Sequence, residues 1–220
     1  MQNRKHKKQV VIIGYSGHAF VVLDILLSRK YTILGYCDSI EKEFNPFNLK
    51  YLGKESDPYP LSILKENNYF VSIGDNNIRG KILDKLTILF DNAALNIIHE
   101  KSVCSSFVEW HPHCGILVAG NATINTFVKI GKGVICNTSC SIDHDCVIGD
   151  YVHIAPSAVL CGNVTVGDYS FIGANSVVKQ GITIGENVVV GAGSVVIKDI
   201  PDNSVVAGNP AKPLTIKSQS

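Results

Sequence analysis

Through residues 118–196 an aliphatic side chain recurs at every sixth position, with cysteine standing in once. The row reads Val118, Ile124, Ile130, Cys136, Ile142, Ile148, Ile154, Leu160, Val166, Ile172, Val178, Ile184, Val190 and Val196. An amphipathic helix repeats near every third or fourth residue and a half-buried strand every second, so neither accounts for a period of six. That period marks a parallel β-helix, in which short strands wind around a prism and stack. Four residues after each row position stand small or β-branched side chains: Ala122, Val128, Val134, Cys140, Cys146, Val152, Ala158, Val164, Ser170 and Ser176. They form a second inward row with no room for large groups. Three residues after the first row come Asn121, Gly133, Asp145, Asn163, Asn175, Gly181, Asn187 and Gly193. Glycine and asparagine tolerate a left-handed backbone, so this third row reads as the corners. Three hexads close a triangular coil, and coils stack at the usual inter-strand spacing of roughly 4.7–4.9 Å. The region holds about four to five coils, with an irregular one expected before it around residues 102–114.

Residues 1–98 have a different character and are expected to form a separate α/β domain, with the β-helix and its cap over residues 99–220. Val10-Val11-Ile12-Ile13 reads as a buried strand, followed by Gly14-Tyr15-Ser16-Gly17-His18 and an apolar helix to about Arg29. Residues 31–37 read as a second strand, 61–67 as a short helix and 69–73 as a third strand. A helix opened by Gly74-Asp75-Asn76-Asn77-Ile78-Arg79 and a final strand at 95–98 complete the set. Strands alternating with helices make a small parallel sheet, half of a Rossmann-like unit. Ligands of such sheets sit beyond the carboxyl ends of the strands, near helix N-termini that favour phosphate. The turns at 14–18 and 74–79 lie at such ends, with Asp38 just after the second strand. On spacing alone, a glycine turn that is not a full GxGxxG is as compatible with a structural turn as with a phosphate site.

Charge narrows the partners. Twenty basic side chains against 19 acidic ones leave a net charge of +1, which argues against nucleic acid or an anionic membrane. The basic run Arg4-Lys5-His6-Lys7-Lys8 is followed by an apolar stretch interrupted by Gly14, Gly17, His18 and Asp24, so it reads as a solvated tail rather than a signal peptide or membrane span. Of the seven cysteines, Cys136, Cys140 and Cys146 fall in the inward rows and act as compact apolar groups. No CxxC pair or zinc spacing occurs, and reduced thiols fit a cytoplasmic protein.

A small α/β domain opening with Gly-x-Ser-Gly-His and joined to hexads resembles the sialic-acid O-acetyltransferase-type family of hexapeptide-repeat acyltransferases, most closely the UDP-4-amino-sugar N-acetyltransferases. The likeness runs from Val11 to about Lys212. It includes IGDNNIR (73–79), CNTSCSIDHDCVIGDYVHI (136–154) and VVAGNPAK (205–212). It implies a left-handed β-helix, a handedness that spacing alone does not give and that is rare among β-β crossovers generally. It also implies a homotrimer with active sites between subunits, acetyl-CoA as co-substrate, no metal, and a nucleotide-linked amino-sugar held by Gly14, Ser16, Gly17, His18, Asp38, Gly74 and Asn76. The family often carries two adjacent acids after the second strand. Here the sequence is Cys37-Asp38-Ser39, which leaves the nucleotide base open.

Acetyl transfer from a thioester needs a base for the nucleophile's proton, a group to orient that base, and a donor for the oxyanion. His144 lies two residues after Ile142, on the outside of a corner, and is the best base in the chain. Asp143 and Asp145 flank it; Asp145 stands in the corner row and reads either as a turn residue or as the acid of a His-acid pair. One coil later, eighteen residues on, Gly162 stacks beside His144, and the resemblance makes its N–H the oxyanion donor. Cys161 is set aside as a nucleophile because direct transfer needs no covalent intermediate.

His153, half a coil from His144, should face away within one subunit. In a trimer it either lines the subunit contact or reaches the neighbour's cleft, where the family holds acetyl-CoA. The resemblance lines the rest of CoA with Gly173, Ala174, Gly191, Ala192, Gly208 and Pro210; the Gly208-Asn209-Pro210 turn also reads as an end cap. His99, His111 and His113, with His144 and His153, suggest a metal site like that of β-helical carbonic anhydrases, but their spacing fits it poorly. The expected activity is acetyl-CoA-dependent N-acetylation of the 4-amino group of a UDP-linked amino-deoxy sugar, in bacterial surface-glycan or nonulosonic-acid biosynthesis. The alternatives are O-acetylation of sialic acid and a non-catalytic partner of a sugar synthase.

Overall fold

The computed structural model describes residues 8–90, 94–111 and 114–214; His113 and most of the basic tail lie outside them. The chain divides into two compact units, one holding residues up to 97 together with 113–115 and the other residues 98–112 and those from 116 on. In the first, strands β1 (Gln9–Ile13), β2 (Thr32–Cys37), β3 (Tyr51–Gly53) and β4 (Asn68–Val71) form a parallel sheet in the order β3-β2-β1-β4. Val10 to Ile13 are fully buried, as a strand covered on both faces must be. Helix α1 (Gly17–Ser28) buries Ala19, Val22, Leu23, Ile25 and Leu26. Helices α2 (Pro58–Glu66) and α3 (Asn76–Leu89) follow β3 and β4.

Three details depart from the expectations drawn from sequence. β3 was missed because it is three residues long and buries only Leu52, too little for any periodicity. Helix α2 starts three residues earlier than expected, with Pro58 in its first turn, where a missing N–H costs nothing. The segment expected as a last sheet strand at 95–98 does not join that sheet. Leu95 donates only its N–H to the Tyr69 carbonyl, and Ile97–Ile98 enters a sheet of the second unit.

The second unit is the β-helix. Its two-residue strands form three parallel sheets, one for each face of the prism, one of them closed by the antiparallel pair Val205–Ala207 and Lys212–Pro213. One face stacks Leu117–Val118, Ile135–Cys136, His153–Ile154, Phe171–Ile172 and Val189–Val190. Another runs through Thr123–Ile124, Ser141–Ile142, Val159–Leu160, Val177–Val178 and Val195–Val196. The third holds Lys129–Ile130, Val147–Ile148, Thr165–Val166 and Thr183–Ile184. Partners are eighteen residues apart, and both inward rows are buried in one continuous core.

The coil before the regular ladder is itself well formed. Val103–Cys104 and Glu109–Trp110 pair in register with Thr123–Ile124 and Lys129–Ile130, but at a separation of twenty residues. The two extra residues fall after Trp110, which hid Ile98, Cys104 and Trp110 from a six-residue count although all three pack on the core. At the far end the separation shrinks to sixteen, as in Val189 with Val205.

All the corners of the third row are left-handed, including those that are neither glycine nor asparagine: Phe127 has φ 62°, Ser139 58°, Tyr151 58°, Ser157 57° and Tyr169 59°. Such a backbone costs an ordinary residue roughly 1–2 kcal/mol. Contacts within the corner column offset part of that cost. The Tyr151 and Tyr169 rings lie 4.9 Å apart, and the Lys132 ammonium sits 5.6 Å from the Tyr151 ring centroid.

A glycine column at the same edge, Gly131, Gly149, Gly167 and Gly185, brings successive coils close. There Asp150 Oδ1 accepts the Lys132 N–H at 2.7 Å, Asp168 Oδ1 the Asp150 N–H at 2.7 Å, and Asp202 Oδ1 the Glu186 N–H at 2.8 Å. Among the described residues no helix is long and apolar enough to cross a membrane. A Cβ on Gly167 would lie 2.6 Å from the Gly185 carbonyl carbon and 2.7 Å from the Glu186 nitrogen, both backbone atoms that cannot swing away. Gly167→Ala is therefore expected to cost about 1–3 kcal/mol of stability through overpacking, read as a lowered denaturation midpoint.

Candidate active site

The corner that follows Ser141–Ile142 places His144 outside the prism, about half exposed. Asp145, next in the chain, has φ 60°, and its N–H bonds the Thr126 carbonyl one coil below. That backbone turn brings Asp145 Oδ2 to 2.8 Å from His144 Nδ1. A carboxylate there favours the tautomer with the proton on Nδ1 and leaves Nε2 as the acceptor. Asp143, on the other side, has Oδ1 fixed by the His144 N–H at 2.9 Å and the Asn125 amide at 2.8 Å; its Oδ2 lies 4.0 Å from Nε2. The bond from Asp145, then the charge of Asp143, raises the imidazole pKa above the ordinary histidine value. The His144 N–H and the Asn125 amide hold the Asp143 carboxyl below its own ordinary range.

Gly162 packs against this ring. An added Cβ would stand 2.6 Å from Cε1 and 2.7 Å from Nε2, so any side chain would displace the imidazole. At the same place in the hexad on another corner of the prism, the N–H groups of Lys132, Asp150 and Glu186 are each taken by an aspartate. Gly162 has no such aspartate: among the described residues its N–H bonds to no carbonyl or side chain. The structure thus brings His144, Asp145 and Gly162 together, with an unsaturated donor beside an oriented base.

His153 lies on a different face of the prism, so one chain does not unite it with His144. It is buried, with Nε2 3.1 Å from the Asn137 amide nitrogen and its ring edge-on to Phe171 at 5.1 Å. Asn137 and Phe171 carried no signal in the sequence beyond their place in the hexads. Directly after that face's strand, Gly173 stacks under Gly191 and Ala192: a Cβ on Gly173 would come within 2.6 Å of the Ala192 nitrogen. Ala174 accepts the Gly193 N–H at 2.8 Å. The tail closes over the same column. Gly208, with φ 102°, donates its N–H to Ser194 Oγ at 3.1 Å and accepts the Val195 N–H at 2.9 Å, and the Asn209–Pro210 peptide is cis. Gly173, Ala174, Gly191, Ala192, Gly208 and Pro210 are therefore neighbours along one edge of the upper coils.

The first unit has its own cavity, of about 420 Å³, beyond the carboxyl ends of β1, β2 and β4. Gly14, Ser16, Asp38 and Gly74 line it, together with Lys54 and Glu55, which the sequence reading missed along with β3. Asp38 Oδ2 accepts the Tyr15 N–H at 3.0 Å, and Oδ1 meets Lys42 at 3.0 Å. Burial pushes this carboxyl up, but the bonds from Tyr15, Lys42 and Ser39 outweigh it and hold the pKa below the ordinary value. A Cβ added at Gly17 or Gly74 would meet nothing within 4 Å; the start of α1 carries no side-chain cap, whereas Asp75 caps α3 by accepting the Ile78 N–H at 2.8 Å.

Three of the expected residues stand back from the cavity lining: Gly17, His18 and Asn76. Burial, then the nearby Arg79 charge, lowers the His18 pKa to about 4, so its ring is neutral at physiological pH. Asn76 Oδ1 accepts from Arg79 at 2.8 Å. Arg79 is fully buried and also donates to the Ile73 and Gly74 carbonyls at 3.0 Å each, so it stitches the turn that borders the cavity. Of the other histidines, His99 accepts the Lys101 N–H at 2.9 Å through Nδ1. No group of three or more metal-ligating side chains comes together among the described residues.

The PglD N-terminal domain family matches residues 9–86. The six-repeat bacterial transferase hexapeptide family matches residues 145–180, and the hexapeptide repeat of succinyl-transferase matches 163–198. Among solved structures, PerB from Caulobacter crescentus in complex with CoA and GDP-perosamine is 35% identical, covering 94% of this chain and 97% of that one, with a TM-score of 0.85. The acetyltransferase domain of PglB from Neisseria gonorrhoeae in complex with acetyl coenzyme A is 30% identical, covering 95% and 100%, with a TM-score of 0.84. WeeI from Acinetobacter baumannii is 26% identical, covering 93% and 99%, with a TM-score of 0.81.

The hydrogen bond from Asp145 is the first cause of the raised His144 pKa. In an NMR titration, His144 should protonate at a higher pH than an ordinary histidine, and Asp145→Asn should move that midpoint to lower pH. A midpoint that does not move would separate the pair electrostatically despite its geometry.

Proposed function

The chain belongs to the family of hexapeptide-repeat amino-sugar N-acetyltransferases that carry a PglD N-terminal domain on a left-handed β-helix, and from that premise we propose that its acceptor is the 4-amino group of a UDP-linked amino-deoxy sugar. It is an acetyltransferase that uses acetyl-CoA. The observation that carries the reading is the corner itself: His144 Nδ1 is held at 2.8 Å by Asp145, and the unbonded Gly162 N–H adjoins the ring.

In this reading the neutral amine attacks the thioester carbonyl while His144 Nε2 takes one of its protons. The Gly162 N–H meets the oxygen as it becomes negative. Collapse of the tetrahedral species breaks the C–S bond, and the proton passes from His144 to the departing CoA sulfur. The products are the N-acetyl sugar and CoA. Asp145 keeps Nδ1 protonated throughout and stabilises the imidazolium that forms.

Gly14, Ser16, Asp38 and Gly74 would hold the nucleotide, with His18 and Asn76 shaping the turns around it. The start of α1, which carries no side-chain cap, suits a diphosphate, and a carboxylate just after β2 suits ribose hydroxyls. A homotrimer would bring His153 of one subunit and the Gly173–Pro210 edge to the cleft that holds acetyl-CoA. Seven free thiols support a cytoplasmic setting. Bacterial surface-glycan or nonulosonic-acid synthesis is the pathway this chemistry would serve. A second reading, a GDP-linked amino-sugar, is favoured by the GDP-perosamine bound to PerB, the structure at 35% identity.

CoA release should be measured with acetyl-CoA and five acceptors: UDP- and GDP-linked 4-amino-4,6-dideoxy sugars, their two 4-hydroxy counterparts, and free sialic acid. Rapid release with a nucleotide-linked amine supports the proposal, and the faster nucleotide decides the base. Release only with sialic acid would move the chemistry to a hydroxyl. His144→Ala should lower turnover by at least roughly a hundredfold, within the range that general bases supply. A rate near that of the parent would remove His144 from the mechanism.

A further inference from the structure

Asp145 accounts for the orientation of His144, but it leaves the second acid at this corner without a role. Asp143 is anchored more firmly than a turn requires. Its Oδ1 takes two donors, the His144 N–H at 2.9 Å and the Asn125 amide from the coil below at 2.8 Å. These hold the carboxylate through Oδ1 and leave Oδ2 at 4.0 Å from His144 Nε2. That is too far for a hydrogen bond between the two atoms and the right separation for both to share a third. A nitrogen at a normal hydrogen-bond length of about 2.9 Å from each would see them roughly 90° apart, close to the angle between two N–H bonds of an amine. A hydroxyl group has one hydrogen. At the same point it can donate to Nε2 or to Oδ2 but not to both, and the carboxylate oxygen left over would face its lone pairs.

We infer that Asp143 reads the acceptor: its Oδ2 accepts one N–H of the incoming amine while His144 Nε2 accepts the other, and this pair of acceptors selects an amino-sugar over its hydroxyl counterpart. The inference rests on the acetyl transfer proposed above and adds to it the choice between nitrogen and oxygen. The hydrogens balance. The one on Nε2 ends on the CoA sulfur, and the one on Asp143 stays with the nitrogen as the N–H of the product amide. A negative charge at Oδ2 also draws the ammonium form of the sugar to the site, where it must shed one proton to the solvent before it can attack.

Asp143→Asn is a clean probe. Its amide oxygen can replace Oδ1 and keep both anchoring bonds, while its NH2 group turns the second acceptor into a donor. Binding to the full-length protein with CoA present should be measured by calorimetry for the 4-amino nucleotide sugar that supports CoA release and for its 4-hydroxy counterpart. The parent protein should bind the amine roughly tenfold or more tightly, the range expected for a hydrogen bond to a charged group. In the variant the amine should lose that advantage, while affinity for the hydroxyl sugar stays within about twofold. An unchanged preference in the variant, a parallel loss for both sugars (as a turn-capping role would give), or a parent protein with no preference each overturns the inference. Failure of the proposed function itself would appear separately, as a parent protein that acetylates no amine.

Discussion

Two-residue strands carry too few hydrogen bonds to hold a sheet unaided, so the prism stands on corners that aim each strand at its partner eighteen residues away. Those corners require a left-handed backbone, which even Phe127, Tyr151 and Tyr169 adopt. The energy that enforces it is collective. Each strand donates and accepts with the coils above and below, both inward rows are dry, and the glycine column lets neighbouring backbones touch. A corner that relaxed to an ordinary conformation would turn its strand out of all three arrangements together.

The same constraint builds the chemistry. Asp145 faces His144 because it occupies a corner, not because a long side chain happens to reach. Gly162 lies against the imidazole because the next coil returns to the same edge. A base on a flexible loop would need packing from many sides to hold such geometry. Here the ladder that supports the fold does that work, so the site can remain half exposed without losing its alignment.

Much of this was legible in the sequence because it depended on counting. The row of aliphatics, the inward small residues, and the meeting of His144 with Gly162 all follow from a period of six. What stayed hidden broke the count or never entered it. Two extra residues after Trp110 concealed a whole coil that includes Ile98, Cys104 and Trp110. The strand Tyr51–Gly53 was too short to show a pattern, and with it went Lys54 and Glu55 on the cavity wall. Corners at phenylalanine and tyrosine gave no sign because the left-handed conformation is imposed by stacking and not by local preference. Asn76, which the resemblance places at the ligand, also accepts from the buried Arg79, a pairing made in space that no spacing in the sequence shows.

The changes in coil length fall only at the two ends, twenty residues at the first and sixteen at the last, while every coil between keeps its eighteen. A prism edited at its ends shifts nothing that is stacked within it. An insertion between His144 and Gly162 would keep the glycine beside the base only if it were absorbed between strands, as the two extra residues after Trp110 are, with the flanking pairs still in register. An insertion within a strand would carry the glycine round to another face, so the strands themselves are the part of the thread whose pitch is fixed.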